Sequence, residues 1–288
     1  MLTTPSRQAA VLGSPIAHSL SPALHTAAYR ALGLSHWSYG AHEVKASGLG
    51  RFVAGLGPRW AGLSLTMPLK EAAFEVADEV SDLAREVGAI NTLVRRADGG
   101  WSGHNTDVYG VSQALREAGC AQTTSAVVLG SGATARAVVA ALASLGCVKV
   151  TFAVRSTARE ATVDQARRAG LEVSVVGLGQ VWDLLGDTRV VVSTLPPDAL
   201  PGSAVPENLL TGRVQRQGPR PVGHLLLDVV YTGWPTPLAR AFHEAGASVV
   251  SGLDMLVHQA AEQVHLMTGL RPPVDEMRAA GLAEMRAS

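Results

Sequence analysis

The chain has 288 residues, and its 24 lysine and arginine residues balance its 24 aspartate and glutamate residues. This length is too great for one simple core and indicates one large or two medium-sized domains. Because the formal net charge is zero, no basic field is available to attract nucleic acid or anionic lipid non-specifically, and we expect neither as a partner.

The chain start and the two cysteines give expectations about the compartment. The first residues, MLTTPSRQAAVLG, lack the charged flank and apolar centre of a signal peptide, and no apolar run is long enough to cross a bilayer. Cys120 and Cys147 lack the spacing of a metal or redox site. We therefore expect a cytoplasmic protein with free thiols.

The first hundred residues alternate between short apolar runs and helical patterns. The sequence predicts strands at 9–13, 37–44 and 62–66, helices at 21–33 and from about residue 68, and a hairpin at 91–105. Ser21 is predicted to cap the first helix, with Pro22 in its first turn. Together with the low aromatic content, this alternation indicates an α/β fold.

One positive charge in this region is of an unusual type for this chain. Lys70 ends the segment SLTMPLK, just past a predicted strand, and the only other lysines are Lys45 and Lys149. A lysine ammonium can give up a proton within a site, whereas a guanidinium stays charged. The residue type therefore suggests proton transfer at Lys70, provided that a partner lies nearby.

From Asp107 onward, strand–helix units repeat. The predicted helices are 108–119, 134–145 and 158–169, and the predicted strands are 125–130, 150–154, 171–177, 189–195 and 225–231. Such repeats form a parallel sheet with right-handed crossovers. The segment 201–224 is predicted to be a loop, and the tail from Leu253 is predicted to be helical and to return to the first domain.

The segment VVLGSGATARAV has the G-x-G-x-x-A pattern of a dinucleotide-binding turn. It follows a predicted buried strand and opens a helix, with Gly130 at the tight turn and Gly132 where a pyrophosphate would approach the backbone. Ser131 and Ala133 lie in the same turn, and the amides at the helix start would face the phosphate charge. An ordinary glycine-rich turn is the alternative.

The next strand indicates which dinucleotide binds. An NAD site usually has an acidic residue about 20 positions further on, but this strand ends FAVRSTAR and carries Arg155, Ser156 and Arg159 instead. An arginine fork matches a phosphate bidentately. NADP is therefore favoured over NAD, the alternative being that both arginines are solvated charges at a helix start.

The segment GHNTDVYG places Asn105, Thr106 and Asp107 together after the predicted hairpin. By itself, Asp107 could equally cap the helix that follows. Further segments occur along the chain in this order: GSPIAHSLSP, SLTMPLK, GAINTL, NTDVYG, GSGATARA, DVVYTGWPTPL and GLDMLVHQAAEQ. In content and order these segments resemble those of the shikimate dehydrogenase family, and the match extends over nearly the whole chain.

The resemblance implies an α/β enzyme of two domains. Residues 1–106 and 251–288 would form an α/β substrate-binding domain that includes the returning C-terminal helices, and residues 107–250 a Rossmann-like, parallel-sheet NADP domain. The implied activity is the NADP-dependent, reversible reduction of 3-dehydroshikimate to shikimate in chorismate and aromatic amino acid biosynthesis. The expected ligands are a small-molecule substrate and NADP, and the chain is expected to be a monomer or a homodimer.

The resemblance also assigns residues to roles. Lys70 and Asp107 would be the catalytic pair, in which Lys70 supplies a proton to the ketone oxygen and Asp107 orients it. The implied substrate-binding residues are Ser19, Ser21, Thr66, Asn91, Gln259 and, from the NADP domain, Tyr231. Gly252 and Met255 would line the nicotinamide side.

Three departures and several alternatives accompany this interpretation. Ser64 stands where the family usually has Asn, Val154 stands where an Asn commonly precedes the phosphate-binding arginine, and STLPP at 193–197 replaces a more polar stretch. The last two bear on the fit of NADP. Quinate or aminoshikimate remains an alternative substrate, although some quinate-preferring relatives carry Thr where this chain has Ser21.

Two further alternatives concern a different class of protein. A non-catalytic, NADP-binding regulatory protein is one alternative, which the presence of both Lys70 and Asp107 opposes. His258, Glu262 and His265 share a helical face by spacing, yet they match no metal-binding motif. No metal site is therefore predicted.

Overall fold

The computed structural model of the protein describes residues 7–185, 188–196, 199 and 223–287. The predicted loop 201–224 lies outside these residues except for its last two positions, and so does Pro197 of the STLPP segment. The chain divides into two compact units. The first consists of Met1–Gly110 and Leu256–Ser288, and the second of Val111–Met255.

The described residues form twelve strands and eleven α-helices. The strands are β1 (Arg7–Gly13), β2 (Trp37–Glu43), β3 (Trp60–Leu65), β4 (Glu79–Val80), β5 (Thr92–Arg95), β6 (Trp101–His104), β7 (Ser125–Leu129), β8 (Lys149–Val154), β9 (Glu172–Gly177), β10 (Val190–Ser193), β11 (Leu225–Asp228) and β12 (Ser248–Val250). The helices are α1 (Ser21–Ala31), α2 (Leu49–Ala54), α3 (Leu69–Ala72), α4 (Asp82–Val87), α5 (Asp107–Glu117), α6 (Ala133–Ser144), α7 (Glu160–Arg168), α8 (Trp182–Leu185), α9 (Pro237–Glu244), α10 (Gly252–Thr268) and α11 (Val274–Ala287).

The first unit is built on a mixed sheet with the strand order β2-β1-β3-β5-β6-β4. Strands β1, β2 and β3 are parallel, whereas β5 runs antiparallel to both β3 and β6. The carboxyl ends of β1, β3 and β6 therefore meet the beginning of β5 at one edge of the sheet. Ser64 near the end of β3 pairs with Thr92 at the start of β5, and Thr92 pairs with His104 at the end of β6.

Apolar side chains of the central strands form the core of the first unit. Leu12, Leu63 and Leu93 are fully buried and pack with residues of α2 and α3. Burial of such a side chain stabilises the folded state by about 1.5–3 kcal/mol. At the C-terminus, α11 contacts α1 of the same unit, which confirms the predicted return of the last helix to the first domain.

The second unit is built on a sheet that is parallel throughout, with the order β12-β11-β10-β7-β8-β9. This is the doubly wound order of the Rossmann fold, in which the direction of winding reverses between β7 and β10. Ligands bind such sheets at the carboxyl ends of the strands beside this reversal. The predicted α/β class and the Rossmann-like second domain are confirmed.

Several details differ from the sequence-based expectations. The predicted cap at Ser21 is wrong, because Ser21 is itself the first residue of α1 and Leu20 occupies the cap position without a side-chain bond. The amide of Ser21 instead donates to the hydroxyl of Ser19, 3.3 Å away. Helix α3 has only four residues and passes into a 3-10 turn, Ala73–Glu75. The strand expected to end at residue 231 ends at Asp228.

Candidate active site

The predicted catalytic pair lies beside the carboxyl ends of strands β3 and β6 of the first sheet. Lys70 belongs to α3, which follows β3, and Asp107 is the first residue of α5, which follows β6. The Nζ atom of Lys70 donates a hydrogen bond to Oδ2 of Asp107 at 2.5 Å. The two side chains are only 17% and 8% exposed. Limited water access strengthens such a charge-assisted bond.

The second oxygen of Asp107 is also bonded. Asn91, just before β5, donates from Nδ2 to Oδ1 of Asp107 at 2.8 Å. The Oδ1 atom of Asn91 accepts from the backbone amide of Thr106 and from the hydroxyl of Thr92, both at 2.8 Å. These two donors fix which end of the Asn91 amide faces Asp107. The Asp107 carboxylate therefore accepts one hydrogen bond from Lys70 and one from Asn91. At the start of α5, the side chain of Asn105 accepts from the backbone amide of Val108.

Gln259 of α10 reaches the same group of residues. Its Oε1 atom lies 3.4 Å from Nδ2 of Asn91 and 3.5 Å from the hydroxyl of Thr106, so both bonds are long. Its Nε2 donates to the backbone carbonyl of Leu256 at 3.0 Å. Four of the predicted site residues thus come together in the first unit from distant parts of the chain: Lys70, Asn91, Asp107 and Gln259.

The three remaining predicted substrate residues of this unit lie along the neighbouring strand ends. Thr66 follows β3, and its amide donates to the carbonyl of Leu12 at 2.9 Å. A Cβ atom at Gly13 would overlap the methyl group of Thr66, so a glycine is needed there. Ser19 and Ser21 come from the segment after β1. Among the described residues, none of these three forms a direct hydrogen bond with Lys70 or Asp107.

A chain of buried hydrogen bonds runs beside the site, and the sequence analysis missed most of its members. The hydroxyl of Tyr39 donates to Ser64 at 2.6 Å. Ser64 donates to Oε1 of Gln263 at 2.7 Å, and Nε2 of Gln263 donates to Thr92 at 3.0 Å. The available signal was that Gln263 follows Gln259 by one helical turn and so shares its face of α10.

His25 lies against this chain without being part of it. Its ring stacks on Tyr39 with a centroid distance of 3.9 Å, and its Nδ1 bonds to the carbonyl of Ser21 at 2.9 Å. Because a carbonyl only accepts, Nδ1 carries the hydrogen of a neutral ring. Burial lowers the pKa of His25 to about 4 and raises the pKa of Tyr39. Both rings are therefore uncharged at neutral pH.

The glycine-rich turn of the second unit fits a phosphate group. Gly130 has a φ of 95°, and an added Cβ would lie 2.7 Å from the hydroxyl oxygen of Thr194, so both its conformation and its surroundings require glycine. Gly132 occupies the cap position of α6 without a side-chain hydrogen bond, and Ala133 is the first helical residue. No capping side chain competes for the first amides of this helix.

Ser131 links this turn to the segment that carries the predicted phosphate-binding residues. Its hydroxyl accepts from the amide of Arg159 at 3.0 Å, and its carbonyl accepts from the hydroxyl of Thr162 at 2.8 Å. The side chains of Arg155, Ser156 and Arg159 are all exposed. The arginines are thus accessible to a ligand phosphate, and Ser131 holds their segment beside the glycine-rich turn.

The other three predicted residues of the second unit lie at or after β11. Tyr231 follows β11, and burial raises the pKa of its hydroxyl. Gly252 begins α10 at a point where an added Cβ would overlap the backbone carbonyl of Val229. Met255 is buried.

The described residues contain no group of three or more His, Cys, Asp or Glu side chains that could hold a metal ion. His258 is 5% exposed and lies 3.4 Å from a guanidinium nitrogen of Arg278. Cys120 and Cys147 are free and buried. Within the described part of the chain, no helix combines the length and apolar character needed to cross a membrane.

Comparison with known proteins identifies the family. Residues 11–93 match the model of the shikimate dehydrogenase substrate binding domain, and residues 252–280 match that of the shikimate 5'-dehydrogenase C-terminal domain. The chain is 36% identical over 275 residues to a shikimate dehydrogenase (NADP(+)) from Synechococcus sp. strain JA-2-3B'a(2-13), covering 94% of this chain and 93% of the relative. The chain belongs to the shikimate dehydrogenase family.

Solved structures of shikimate dehydrogenases have the same fold. The enzyme from Mycobacterium tuberculosis superposes with a TM-score of 0.84 at 42% identity, covering 96% of this chain and 99% of that one. The enzyme from Thermus thermophilus, solved in complex with NADP(H) and shikimate, superposes with a TM-score of 0.79 at 32% identity, with the same coverage. A quinate dehydrogenase from Corynebacterium glutamicum in complex with NAD also matches, with a TM-score of 0.82, 31% identity and coverage of 96% and 99%.

Proposed function

We propose that this protein is an NADP-dependent shikimate dehydrogenase that reversibly reduces 3-dehydroshikimate to shikimate in aromatic amino acid biosynthesis. The observation that carries the proposal is the 2.5 Å bond between Lys70 and Asp107, in a polar group that also contains Asn91 and Gln259. Membership of the family supports both the substrate and the cofactor, since the Synechococcus relative bears that activity in its name.

The proposed chemistry assigns proton transfer to Lys70. NADPH, when bound, supplies the hydride that the ketone carbon receives. Negative charge then develops on the ketone oxygen, and the Lys70 ammonium stabilises this charge and donates the proton that completes the alcohol. Asp107 orients the Lys70 ammonium through their bond and is itself held by Asn91. In the reverse direction, Lys70 accepts the hydroxyl proton.

The remaining predicted residues would bind the two ligands. Ser19 and Ser21 would donate hydroxyl hydrogen bonds to the substrate carboxylate, which leaves the Lys70 ammonium for the reacting oxygen. Thr66, Asn91, Gln259 and Tyr231 would bond to the substrate hydroxyls.

The cofactor would be held by the second unit. The turn Gly130, Ser131, Gly132 and Ala133 would receive the pyrophosphate at the uncapped start of α6. The exposed Arg155, Ser156 and Arg159 would bind the 2'-phosphate, while Gly252 and Met255 would line the nicotinamide. Val154 is 5% exposed at the end of β8 and offers no polar group to the adenosine. The predicted cytoplasmic location and the monomeric or homodimeric state remain predictions.

Initial rates with a small panel of ligands test this function. Shikimate, quinate and aminoshikimate are each offered to the purified chain with NADP+ and with NAD+. We expect the highest kcat/KM with shikimate and NADP+. A higher kcat/KM with quinate or aminoshikimate would assign the chain to a sister activity. Absence of turnover with every pair would favour the regulatory alternative.

A further inference from the structure

Gln263 is a buried amide that joins α10 to two neighbouring strands of the first sheet. It is 1% exposed. Its Oε1 accepts from Ser64 of β3 at 2.7 Å, and its Nε2 donates to Thr92 of β5 at 3.0 Å. A longer bond of 3.4 Å joins Nε2 to the carbonyl of Asn91. The oxygen and the nitrogen of the Gln263 amide thus each have a hydrogen-bond partner. These partners, Ser64 and Thr92, lie opposite each other on β3 and β5.

The same face of α10 carries Gln259 one turn before Gln263 and Met267 one turn after it. Met267 lies over Gly62 of β3, where an added Cβ would come within 2.7 Å of its side chain. The bonds of Gln259 to Asn91 and Thr106 are long, and its Nε2 donates within α10 to the carbonyl of Leu256. The shorter hydrogen bonds of Gln263 therefore fix the position of α10 over the sheet and its rotation about its own axis. This placement brings Gln259 within reach of Asn91 and Thr106.

The partner of Gln263 on β3, Ser64, has a short hydroxyl side chain. Gln263 brings an amide to Ser64 from the helix, and Tyr39 donates to Ser64 at 2.6 Å. The ring of Tyr39 stacks on His25, whose Nδ1 bonds to the carbonyl of Ser21, a predicted substrate residue.

We propose that Gln263 is a positioning residue for substrate binding, which acts by holding Gln259 over the site and by ordering Ser64 and Tyr39. The proposal rests on the proposed function.

This role differs from a role in proton transfer. Gln263 bonds to neither Lys70 nor Asp107 among the described residues. The orientation of Asn91 is fixed by the backbone amide of Thr106 and the hydroxyl of Thr92, and the first of these donors does not bond to Gln263. Loss of the Gln263 amide should therefore disturb substrate binding while leaving the Lys70–Asp107 pair in place.

Steady-state kinetics of Gln263→Ala, Ser64→Asn and the double variant test the proposal, with thermal unfolding measured alongside. Gln263→Ala removes one hydrogen bond from each of the buried residues Ser64 and Thr92 and releases α10 from the sheet at this point, so we expect the KM for shikimate to rise about 10- to 100-fold. Its kcat and the pH profile of kcat should stay close to those of the wild type. The double variant places an amide on β3 in the space that Gln263 vacates, so most of the rise in KM should disappear. Ser64→Asn alone should bind substrate less well than the double variant, because its amide would crowd Gln263.

Glu262→Ala, one residue away on α10 and outside the hydrogen-bonded chain, is the matched control and should retain the wild-type KM. If Gln263→Ala does not fold, Gln263→Met keeps the volume and should show the same rise in KM. An unchanged KM would overturn the proposal. So would a fall in kcat by the same factor as the rise in KM, if adding Ser64→Asn did not reverse it. Wild-type turnover of shikimate is measured first, so a failure of the proposed function would be recognised separately.

Discussion

The Nζ atom of Lys70 lies 2.5 Å from Oδ2 of Asp107, although the two residues are 37 positions apart in the chain. The sheet topology explains their approach. Strands β3 and β6 flank β5 and both run antiparallel to it, so the segments that follow β3 and β6 leave the sheet at the same edge. Asn91, just before β5, lies between them and bonds to Asp107.

The first prediction concerns Asp107→Asn. Both oxygens of Asp107 accept hydrogen bonds from nitrogen donors, and an asparagine would turn an N–H group toward one of them. We expect kcat for shikimate oxidation to fall by about 10²-fold or more. Asp98→Asn is the control, because Asp98 is exposed and bonds to Arg96 away from the site. Equal activity of the two variants would remove Asp107 from the mechanism.

The second prediction concerns cofactor selectivity. Arg155 is exposed after β8, where the 2'-phosphate of NADP would bind. In Arg155→Ala we expect the KM for NADP+ to rise at least about tenfold while the KM for NAD+ changes little, because only NADP+ carries this phosphate. Arg168→Ala, at the far end of α7, should affect neither. An equal loss for both cofactors would reject the assignment of Arg155 to the phosphate.

The third prediction concerns stability in acid. Burial holds the pKa of His25 near 4 in the folded state, compared with about 6.5 when the chain is unfolded. Between these values the unfolded chain binds the additional proton, so stability is complete above pH 6.5 and falls as the pH is lowered toward 4. The difference corresponds to about 3 kcal/mol. Urea unfolding of His25→Phe, which keeps a ring against Tyr39, should show a flatter dependence over this window. Identical slopes for variant and wild type would contradict the prediction.

The fourth prediction compares two glycines. A Cβ at Gly252 would overlap the backbone carbonyl of Val229, which cannot move aside, whereas a Cβ at Gly62 would meet the flexible side chain of Met267. We expect Gly252→Ala to lower the free energy of unfolding by about 3 kcal/mol or more and Gly62→Ala by about 1 kcal/mol. Denaturant titration measures both. A smaller effect at Gly252 than at Gly62 would show that the backbone there can adjust.

The sequence contained enough information for the parallel sheet and for most strand positions. The apolar runs at 125–130 and 150–154 correspond to β7 and β8, because strands buried on both faces carry continuous apolar sequence. Periodicity could not locate the two-residue strand β4 or the six-residue helices α2 and α4, since these elements are too short to show a repeat.

The residues of the candidate site were predicted unevenly for a physical reason. Lys70, Asn91 and Asp107 lie in segments with a recognisable pattern, and the structure brings them together. Gln263 and Tyr39 were missed because their roles depend on contacts between elements far apart in the chain; the spacing of Gln263 from Gln259 indicated a shared helix face but not its bonds to the strands. Ser21 was assigned to a cap on composition alone, whereas the local backbone makes it the first residue of α1.

The most direct test of the central claim is the initial rate of NADPH formation from shikimate and NADP+ by the wild type, Lys70→Met and Lys149→Met. Lys149 is an exposed lysine paired with Glu172 in the second unit and serves as the matched control. We predict that the wild type and Lys149→Met turn over alike, while Lys70→Met loses about 10²–10⁴-fold in kcat with little change in the KM for shikimate. A Lys70→Met variant that retains the wild-type kcat would contradict the account.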